Sequence, residues 1–297
     1  MRIGLIGCGR WGRLILRDLV ALGAKVSVVD TSEACRASAS VAGAITVHAE
    51  ITELVDMDGY VVAVPSAIHA DVIKILLPLG RPLFVEKPLT CNAESAADIA
   101  RIGPDQVFSM DKWRYHGGVV KLADLVRSNT LGRIMAVHTS RLGWGNPHQD
   151  VDATWILMPH DLSIVKEILG YLPRVKSATG YRCGNSDASL IAVLADSENE
   201  AIVTCEISSL NPFKRRSVVV VGAEGSAQFD DACDNCIRYC PPEGNIQDIS
   251  VESEMPLVAE LRAFLSYLKG GSRPKGSVSD AALIVARIEE ARRHAGF

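Results

Sequence analysis

Residues 2–12 read Arg-Ile-Gly-Leu-Ile-Gly-Cys-Gly-Arg-Trp-Gly, a short apolar run that leads into a loop with three glycines. In such a loop Gly7 permits a tight turn, Gly9 lets the backbone approach a pyrophosphate, and Gly12 lets the next helix pack on the strand. The N-terminus of that helix would offer N–H groups to the phosphates. A glycine turn used only for packing is the structural alternative. The cofactor contacts predicted in this loop are Gly7, Gly9, Arg10, Trp11 and Gly12.

A second apolar run, residues 25–30, ends on an acid 18 residues after Gly12. A carboxylate at that place, here Asp30, accepts hydrogen bonds from both ribose hydroxyls and repels a 2′-phosphate. This favours NAD as the cofactor. Arg36 follows one helix turn later and can pair with a phosphate, so NADP stays an alternative.

The pattern along the chain predicts two domains. Up to about residue 110, short apolar runs alternate with helical stretches, which is typical of an α/β domain with a doubly wound parallel sheet, a Rossmann domain. After residue 115, longer runs with alternating polarity are separated by turns, which predicts an α/β domain with a mostly antiparallel sheet. We place the NAD(P)-binding domain at residues 1–115 and a substrate-binding and oligomerisation domain at residues 116–297.

Composition narrows the class of protein. The chain has 297 residues, 48% of them hydrophobic, and a formal net charge of −4, which argues against nucleic acid as a partner. No segment approaches the roughly 20 apolar residues of a membrane span. The eight cysteines show no spacing of a secreted disulfide scaffold. We therefore expect a cytoplasmic protein without a membrane partner.

Glu86-Lys87-Pro88 directly follows a predicted strand at residues 82–85. Together with the glycine loop, this motif resembles the Gfo/Idh/MocA family of sugar and polyol oxidoreductases. Residues 64–70 look like the family segment beside the nicotinamide, which makes Pro65, Ser66 and His69 expected cofactor contacts. Glu86 and Lys87 of the Glu-Lys-Pro motif are expected cofactor contacts as well. The resemblance implies NAD(P)-dependent hydride transfer, a large open sheet in the second domain, and a homodimer or homotetramer assembled through that sheet.

Lys87 and His160 are the predicted catalytic residues, and both are expected to contact substrate. A lysine at the carboxyl end of a parallel strand lies in the ligand crevice, where its ammonium can stabilise a developing negative charge. Glu86 would orient this lysine or touch the cofactor ribose. Residues 159–162, Pro-His-Asp-Leu, resemble the family segment with the catalytic histidine, and we predict that His160 opens a helix. A solvated Lys-Pro turn and a helix-capping histidine are the structural alternatives.

The sequence departs from the family pattern at Ile156. Family members commonly carry an aspartate four residues before the histidine, and isoleucine cannot orient an imidazole. Either His160 works alone, or Asp152 or Asp161 replaces the missing acid, or the site no longer oxidises alcohols. Residues 111–116 resemble the segment that crosses between domains, and from it we predict substrate contacts by Arg114 and Tyr115. Further candidates for a sugar pocket are Trp113, Arg141, Trp144 and Trp155.

Three cysteines, Cys233, Cys236 and Cys240, are close enough in sequence to suggest zinc. A second pair of ligands at the usual spacing is missing, so we predict a β-hairpin with cysteines and no metal.

The sequence therefore predicts an NAD(P)-dependent oxidoreductase acting on a secondary alcohol or ketone of a sugar, polyol or nucleotide sugar. The alternatives are a cofactor-binding regulator with little catalysis, and a reductase of a non-sugar C=N or C=C bond.

Overall fold

The computed structural model describes residues 1–146, 150–197, 200–231, 235–252 and 254–297. The strands in chain order are β1 (Arg2–Ile6), β2 (Lys25–Val29), β3 (Thr46–His48), β4 (Gly59–Val62), β5 (Leu83–Glu86), β6 (Val107–Met110), β7 (Ile134–Trp144), β8 (Val175–Cys183), β9 (Asp187–Leu194), β10 (Ile202–Ser208), β11 (Leu210–Gly222), β12 (Gly225–Asp230), β13 (Cys236–Cys240) and β14 (Gln247–Ser250). The helices are α1 (Arg10–Ala21), α2 (Glu33–Val41), α3 (His69–Leu76), α4 (Ala93–Ile102), α5 (Gly117–Arg127), α6 (Ala153–Leu169), α7 (Pro256–Tyr267) and α8 (Val278–Ala295).

Two compact units share these elements. The first contains Met1–Lys112 and Leu257–Ala282, and the second contains Trp113–Pro256 and Leu283–Phe297. Each unit therefore takes two separate segments of the chain. The assignment of cofactor binding to residues 1–115 and of substrate binding to residues 116–297 stays a proposal.

The first unit contains the predicted parallel sheet, with strand order β3-β2-β1-β4-β5-β6. Its central strand β1 pairs in parallel with β2 and β4, and Ile3 and Leu5 on it are completely buried. Strands that are covered on both faces must be apolar throughout, which explains the unbroken apolar runs. α7 also belongs to this core, because the ring of Phe264 stacks on Phe84 with centroids 4.8 Å apart.

The second unit contains an eight-stranded sheet with the order β14-β13-β12-β11-β7-β10-β9-β8. Its strand pairs are antiparallel except for β7 with β10, which confirms the predicted mostly antiparallel sheet. α6 packs on β7, β9 and β10. Residues alternate between the two faces of these strands, so Val137 and Val203 are buried while His138 and Thr204 point to the other face, which we call the outer face.

The prediction that His160 opens a helix is wrong. α6 begins at Ala153, because the Asp152 side chain caps it by accepting a hydrogen bond of 3.0 Å from the N–H of Thr154. Pro159 lies inside this helix, where proline is disfavoured because it lacks an N–H. His160 is therefore in the middle of α6. No helix among the described residues is long and apolar enough to cross a membrane.

Candidate functional site

The glycine loop has the geometry that its sequence predicts. Gly7 has a φ of +89°, and a Cβ on it would lie 2.7 Å from the carbonyl oxygen of Ala63. A Cβ on Gly12 would collide with the carbonyl oxygen of Gly7, so the helix and the loop are in direct contact there. By contrast, a Cβ on Gly9 would meet no atom within 4 Å among the described residues. Gly9 therefore leaves open space at the loop, where a phosphate can approach the backbone.

The N-terminus of α1 suits an anion. Its N-cap residue is Gly9, which provides no side-chain cap, and the first turn of α1 as described contains no acidic residue. The N–H groups of that turn and the positive end of the helix dipole therefore face the open space beside Gly9. The residues present thus fit the pyrophosphate of a dinucleotide.

Asp30 connects the end of β2 to the glycine loop. Its Oδ2 accepts a hydrogen bond of 2.7 Å from the N–H of Cys8, and its Oδ1 accepts one of 2.9 Å from Ser32. Arg36 Nη1 donates to the carbonyl oxygens of Asp30 at 2.7 Å and Thr31 at 2.9 Å. The expected ribose acceptor and the arginine that could bind a 2′-phosphate therefore lie on the same short loop.

The thiol of Cys8 is completely buried in this loop. Burial, together with the nearby charge of Asp30, raises the pKa of this thiol to about 11. The thiol therefore stays protonated at neutral pH, which is the state of an unreactive cysteine that fills space.

Glu86 organises the carboxyl end of β5. Its Oε1 accepts a hydrogen bond from the indole N–H of Trp11, and its Oε2 accepts one of 3.2 Å from the backbone N–H of Lys87. Lys112 Nζ lies 4.3 Å from the centroid of the Trp11 ring. Burial raises the pKa of Glu86, and the charge of Lys87 opposes this. Glu86 therefore contacts the backbone of Lys87, whose peptide bond to Pro88 is cis, and both predicted roles of Glu86 stay predictions.

Three predicted cofactor contacts lie just after β4. Pro65 and Ser66 form the start of a short turn that leads into α3. His69 is 1% exposed, and its Nδ1 lies 2.8 Å from the carbonyl oxygen of Pro88 while Nε2 lies 3.0 Å from that of Val64. The imidazole thus ties this turn to the Glu86-Lys87-Pro88 segment. Direct contact between His69 and the cofactor stays a prediction.

Glu260 is a residue that the sequence analysis missed. It lies on α7, is 1% exposed, and its Oε2 has no hydrogen-bond partner among the described residues. Burial raises its pKa well above the usual range, and the charges of Glu86 and Asp111 add to this, while Lys112 opposes it. The sequence offered one signal of this buried acid. Glu260 is a single acid among the apolar residues of α7, between Leu257 and Leu261.

In the second unit, His160 lies beside an aromatic and cationic cluster. The ring of Trp113 has its centroid 6.4 Å from that of His160 and is stacked on His116 at 5.0 Å. The guanidinium of Arg141 lies 4.6 Å from the Trp113 centroid. The structure therefore brings together His160 and two of the additional pocket candidates, Trp113 and Arg141. Lys87 belongs to the first unit and His160 to the second.

Neither candidate replacement for the missing acid is placed to serve His160. Asp161 is buried and accepts two hydrogen bonds from Arg141, at 2.8 and 3.3 Å. Burial raises the pKa of Asp161, and the charge of Arg141 opposes this. Asp152 caps α6 and also accepts hydrogen bonds of 2.8 and 2.7 Å from Arg292. Both carboxylates are committed to arginines.

The two substrate contacts predicted from residues 111–116 lie in a short turn, Lys112–Tyr115. Arg114 Nε donates a hydrogen bond of 3.0 Å to Glu167, and both side chains are nearly buried. This ion pair gives Arg114 a structural role. Substrate binding by Arg114 and Tyr115 stays a prediction.

The cysteine-rich segment contains the predicted β-hairpin, formed by β13 and β14. Cys236 is disulfide-bonded, and Cys240 is a free, exposed cysteine. Cys233 lies outside the described residues. Among those that the structure describes, no group of three His, Cys, Asp or Glu side chains is arranged to hold a metal ion.

Comparisons with known proteins agree with this architecture. A family model described as the oxidoreductase family with an NAD-binding Rossmann fold, Gfo/Idh/MocA, matches residues 1–106, and the model of its C-terminal domain matches residues 119–228. The rhizopine catabolism protein MocA of Rhizobium meliloti is 25% identical over 316 residues, covering 98% of this chain and 93% of that protein.

Two further proteins are similar to this chain. Inositol 2-dehydrogenase 2 of Saccharopolyspora erythraea is 28% identical over 183 residues, covering 57% of this chain and 54% of that protein. A solved structure of levoglucosan dehydrogenase in complex with NADH and levoglucosan superimposes with a TM-score of 0.87 at 14% identity, covering 100% of this chain and 97% of that one. At that level of identity the superposition shows a shared fold.

Proposed function

Because the chain belongs to the Gfo/Idh/MocA family of oxidoreductases and has its NAD-binding Rossmann domain, we propose that it transfers hydride between NAD and a secondary alcohol or ketone of a sugar, polyol or nucleotide sugar. One observation carries this proposal: Lys87 lies at the carboxyl end of β5, next to Glu86, which is hydrogen-bonded to Trp11 of the glycine loop. The backbone of Lys87 is thereby tied to the glycine loop, which supports a role for its ammonium group next to the bound cofactor.

The relatives support a polyhydroxylated ring as the substrate. The similar proteins include a dehydrogenase of inositol and one whose structure holds levoglucosan. Both compounds are rigid rings that carry several secondary hydroxyls. A ring of this kind would present an apolar face to an aromatic side chain and hydroxyls to charged groups.

The proposed mechanism gives Lys87 and His160 separate roles. Lys87 donates a hydrogen bond to the reacting oxygen and stabilises its negative charge as the C–H bond breaks. His160 takes the hydroxyl proton during oxidation and returns it during reduction. When bound, NAD supplies the acceptor for the hydride. In this proposal His160 works without an orienting carboxylate.

For the cofactor, we propose a preference for NAD with some acceptance of NADP. Asp30 favours NAD because its carboxylate would repel a 2′-phosphate. Two of the Arg36 guanidinium contacts are to carbonyl oxygens, at 2.7 and 2.9 Å, which keeps its positive charge beside Asp30. That charge would offset part of the repulsion.

We also propose that the protein is a cytoplasmic homodimer or homotetramer that assembles through the outer face of the second sheet. That face contains a shallow hollow of about 390 Å³, lined in part by His138, Thr204 and Glu206. Ile191 and Ile202 are 46% and 50% exposed near it. Covering such side chains in an interface removes apolar area from water. Size-exclusion chromatography with light scattering and cell fractionation test these two points.

The test of the proposed function is nicotinamide absorbance in mixtures of the protein, NAD or NADP, and a panel of polyols, free sugars and nucleotide sugars. The variants Lys87→Ala and His160→Ala are measured alongside, with Lys74→Ala, on α3, as the control. We expect turnover that both site variants lose and the control keeps. Turnover that survives both changes would contradict the assigned roles.

A second function, a cofactor-binding regulator, is favoured by Ile156 together with the commitment of Asp152 and Asp161 to arginines. It would show as tight NAD binding without turnover of any alcohol or ketone. A reductase of a C=N or C=C bond, the other alternative, would show activity with NADH that is insensitive to His160→Ala.

A further inference from the structure

Two arginines lie directly opposite each other in the second sheet. Arg141 on β7 and Arg216 on β11 are register partners. Both guanidinium groups approach the ring of Trp113, Arg141 at 4.6 Å and Arg216 at 5.8 Å from its centroid. Like charges directly opposite on neighbouring strands are destabilising unless something compensates them. The pair therefore needs an explanation.

Only one of the two arginines is fully compensated within the described part of the chain. Arg141 is 5% exposed and donates two hydrogen bonds to Asp161. The Arg216 side chain is 41% exposed and makes no side-chain hydrogen bond to the described residues. Its acidic neighbour Asp231 is 3.8 Å away and lies closer to Lys214, at 3.3 Å. Within the described residues, the guanidinium N–H groups of Arg216 therefore donate no hydrogen bond.

The surroundings of Arg216 disfavour its own charge. Burial lowers the pKa of its guanidinium, and the nearby charge of Arg141 lowers it further, while Asp231 and Asp161 oppose the shift. Arginine nevertheless stays charged in proteins. An anion that binds the fork would remove this cost, because a bidentate pair with a carboxylate or phosphate supplies both the charge and the hydrogen bonds.

The side chains of Arg216 and His160 both lie near the ring of Trp113. The centroids of the Trp113 and His160 rings are 6.4 Å apart, and Arg216 lies 5.8 Å from the same Trp113 centroid. His160 and the guanidinium of Arg216 therefore both lie next to the same buried indole ring.

We infer that Arg216 is a specificity residue that binds an anionic substituent of the substrate, a carboxylate or a phosphate carried by the sugar. This assignment rests on the proposed function for the position of the reacting carbon. The anion site itself does not depend on turnover, so the two can be tested separately.

The binding experiment measures the thermal stability of the protein in saturating NADH with increasing sodium phosphate or sodium acetate, at constant ionic strength. NADH keeps the anion away from the glycine loop. The variants are Arg216→Gln, which removes charge and fork, and Arg216→Lys, which keeps the charge only. Arg215→Gln is the matched control, because Arg215 directly precedes Arg216 on β11 and lines the hollow on the opposite, outer face of the sheet. Urea unfolding without added anion confirms that each variant folds.

We expect the anion to stabilise the wild-type protein and Arg215→Gln, with apparent affinity at least about tenfold weaker in Arg216→Gln and an intermediate loss in Arg216→Lys. Response to phosphate, acetate or both identifies the group that the fork accepts. The inference is overturned if the anions do not stabilise the wild-type protein, or if they stabilise Arg216→Gln as strongly.

The catalytic experiment compares D-glucose with D-glucuronate and D-glucose 6-phosphate, and then an acidic derivative of any ring that the wild-type protein turns over. We expect kcat/KM to favour the acidic form and Arg216→Gln to reverse that preference by about tenfold or more, with neutral rings affected less. Equal losses for neutral and acidic rings would contradict a specificity role. The two proposals can fail separately. If the anion stabilises the protein through Arg216 but no substrate is turned over, the anion site is supported and the proposed function is rejected.

Discussion

Glu86 at the end of β5 accepts a hydrogen bond from the indole N–H of Trp11 in the first turn of α1. This bond joins the strand that precedes Lys87 to α1, the helix whose N-terminus is predicted to bind the cofactor phosphates. The other oxygen of Glu86 binds the backbone N–H of Lys87 at 3.2 Å. A single carboxylate therefore connects the predicted catalytic lysine with the predicted phosphate loop.

Trp11→Phe should weaken this connection. Phenylalanine keeps a ring beneath Lys112 but leaves Glu86 Oε1 buried without its donor, which typically costs about 1–3 kcal/mol. We expect the free energy of unfolding in urea to fall by about that amount and kcat/KM for NAD to fall with it. Trp144→Phe is the control, since that ring is 74% exposed. Equal effects of the two substitutions would argue against a special role for the Glu86 contact.

Gly9→Ala and Gly12→Ala should separate cofactor binding from folding. A Cβ on Gly9 meets no atom of the described residues within 4 Å, so Gly9→Ala should fold with near wild-type stability but hinder the pyrophosphate. A Cβ on Gly12 collides with the backbone of Gly7, so Gly12→Ala should lose several kcal/mol of stability. Urea unfolding and NADH fluorescence titration measure the two effects. Unchanged NADH affinity in Gly9→Ala would reject the phosphate loop.

Arg36→Gln should change the choice of cofactor. Its guanidinium lies beside Asp30 and could pair with a 2′-phosphate. We expect the dissociation constant of NADPH to rise about tenfold while that of NADH changes less than about threefold. Asp30→Asn should act in the opposite sense, because it removes the repulsion of the 2′-phosphate. Fluorescence titration of both reduced cofactors provides the measurement, and a parallel change for the two would exclude this role of Arg36.

Glu260→Gln should raise the stability at neutral and alkaline pH. The pKa of Glu260 is raised by burial, so above the unfolded value of 4.5 the folded chain holds a proton that the unfolded chain has released. Stability then falls as pH rises, by up to about 1.4 kcal/mol per pH unit until the folded pKa is reached. Glutamine does not titrate, so the difference between variant and wild type should grow upward from about pH 4.5.

The measurement is urea unfolding at a series of pH values, with Glu289→Gln on α8 as the control. A constant difference between Glu260→Gln and the wild type would mean that Glu260 is not the group that titrates.

Local sequence patterns were enough for the elements of the first unit. α4 spans residues 93–102 because Asn92 caps it by accepting a hydrogen bond from the N–H of Ser95, and Gly103 follows its last residue. The predicted start of α6 was wrong because, in this helix, tertiary packing outweighs the local sequence pattern. The prediction places the helix start at His160, but the cap at Asp152 and the burial of the flanking residues outweigh the cost of one internal proline, Pro159.

The candidate site divides in the same way. The glycine loop, Asp30 and Lys87 could be predicted because their roles depend on neighbours in sequence and on the ends of strands. Glu260 and the pair of Arg141 with Arg216 could not be predicted. Their properties arise from charges that lie 75 residues or more apart in the chain and become neighbours only in the folded sheet or on its helices.

The sequence by itself determined the two kinds of sheet, the family and the phosphate loop, because apolar periodicity and glycine stereochemistry act over a few residues. Only the tertiary structure decided that both candidate acids bind arginines, how Glu86 contacts the backbone of Lys87, and where the guanidinium of Arg216 lies. These features depend on burial between elements that are distant in the chain. Charges interact more strongly there because folding excludes water from between them.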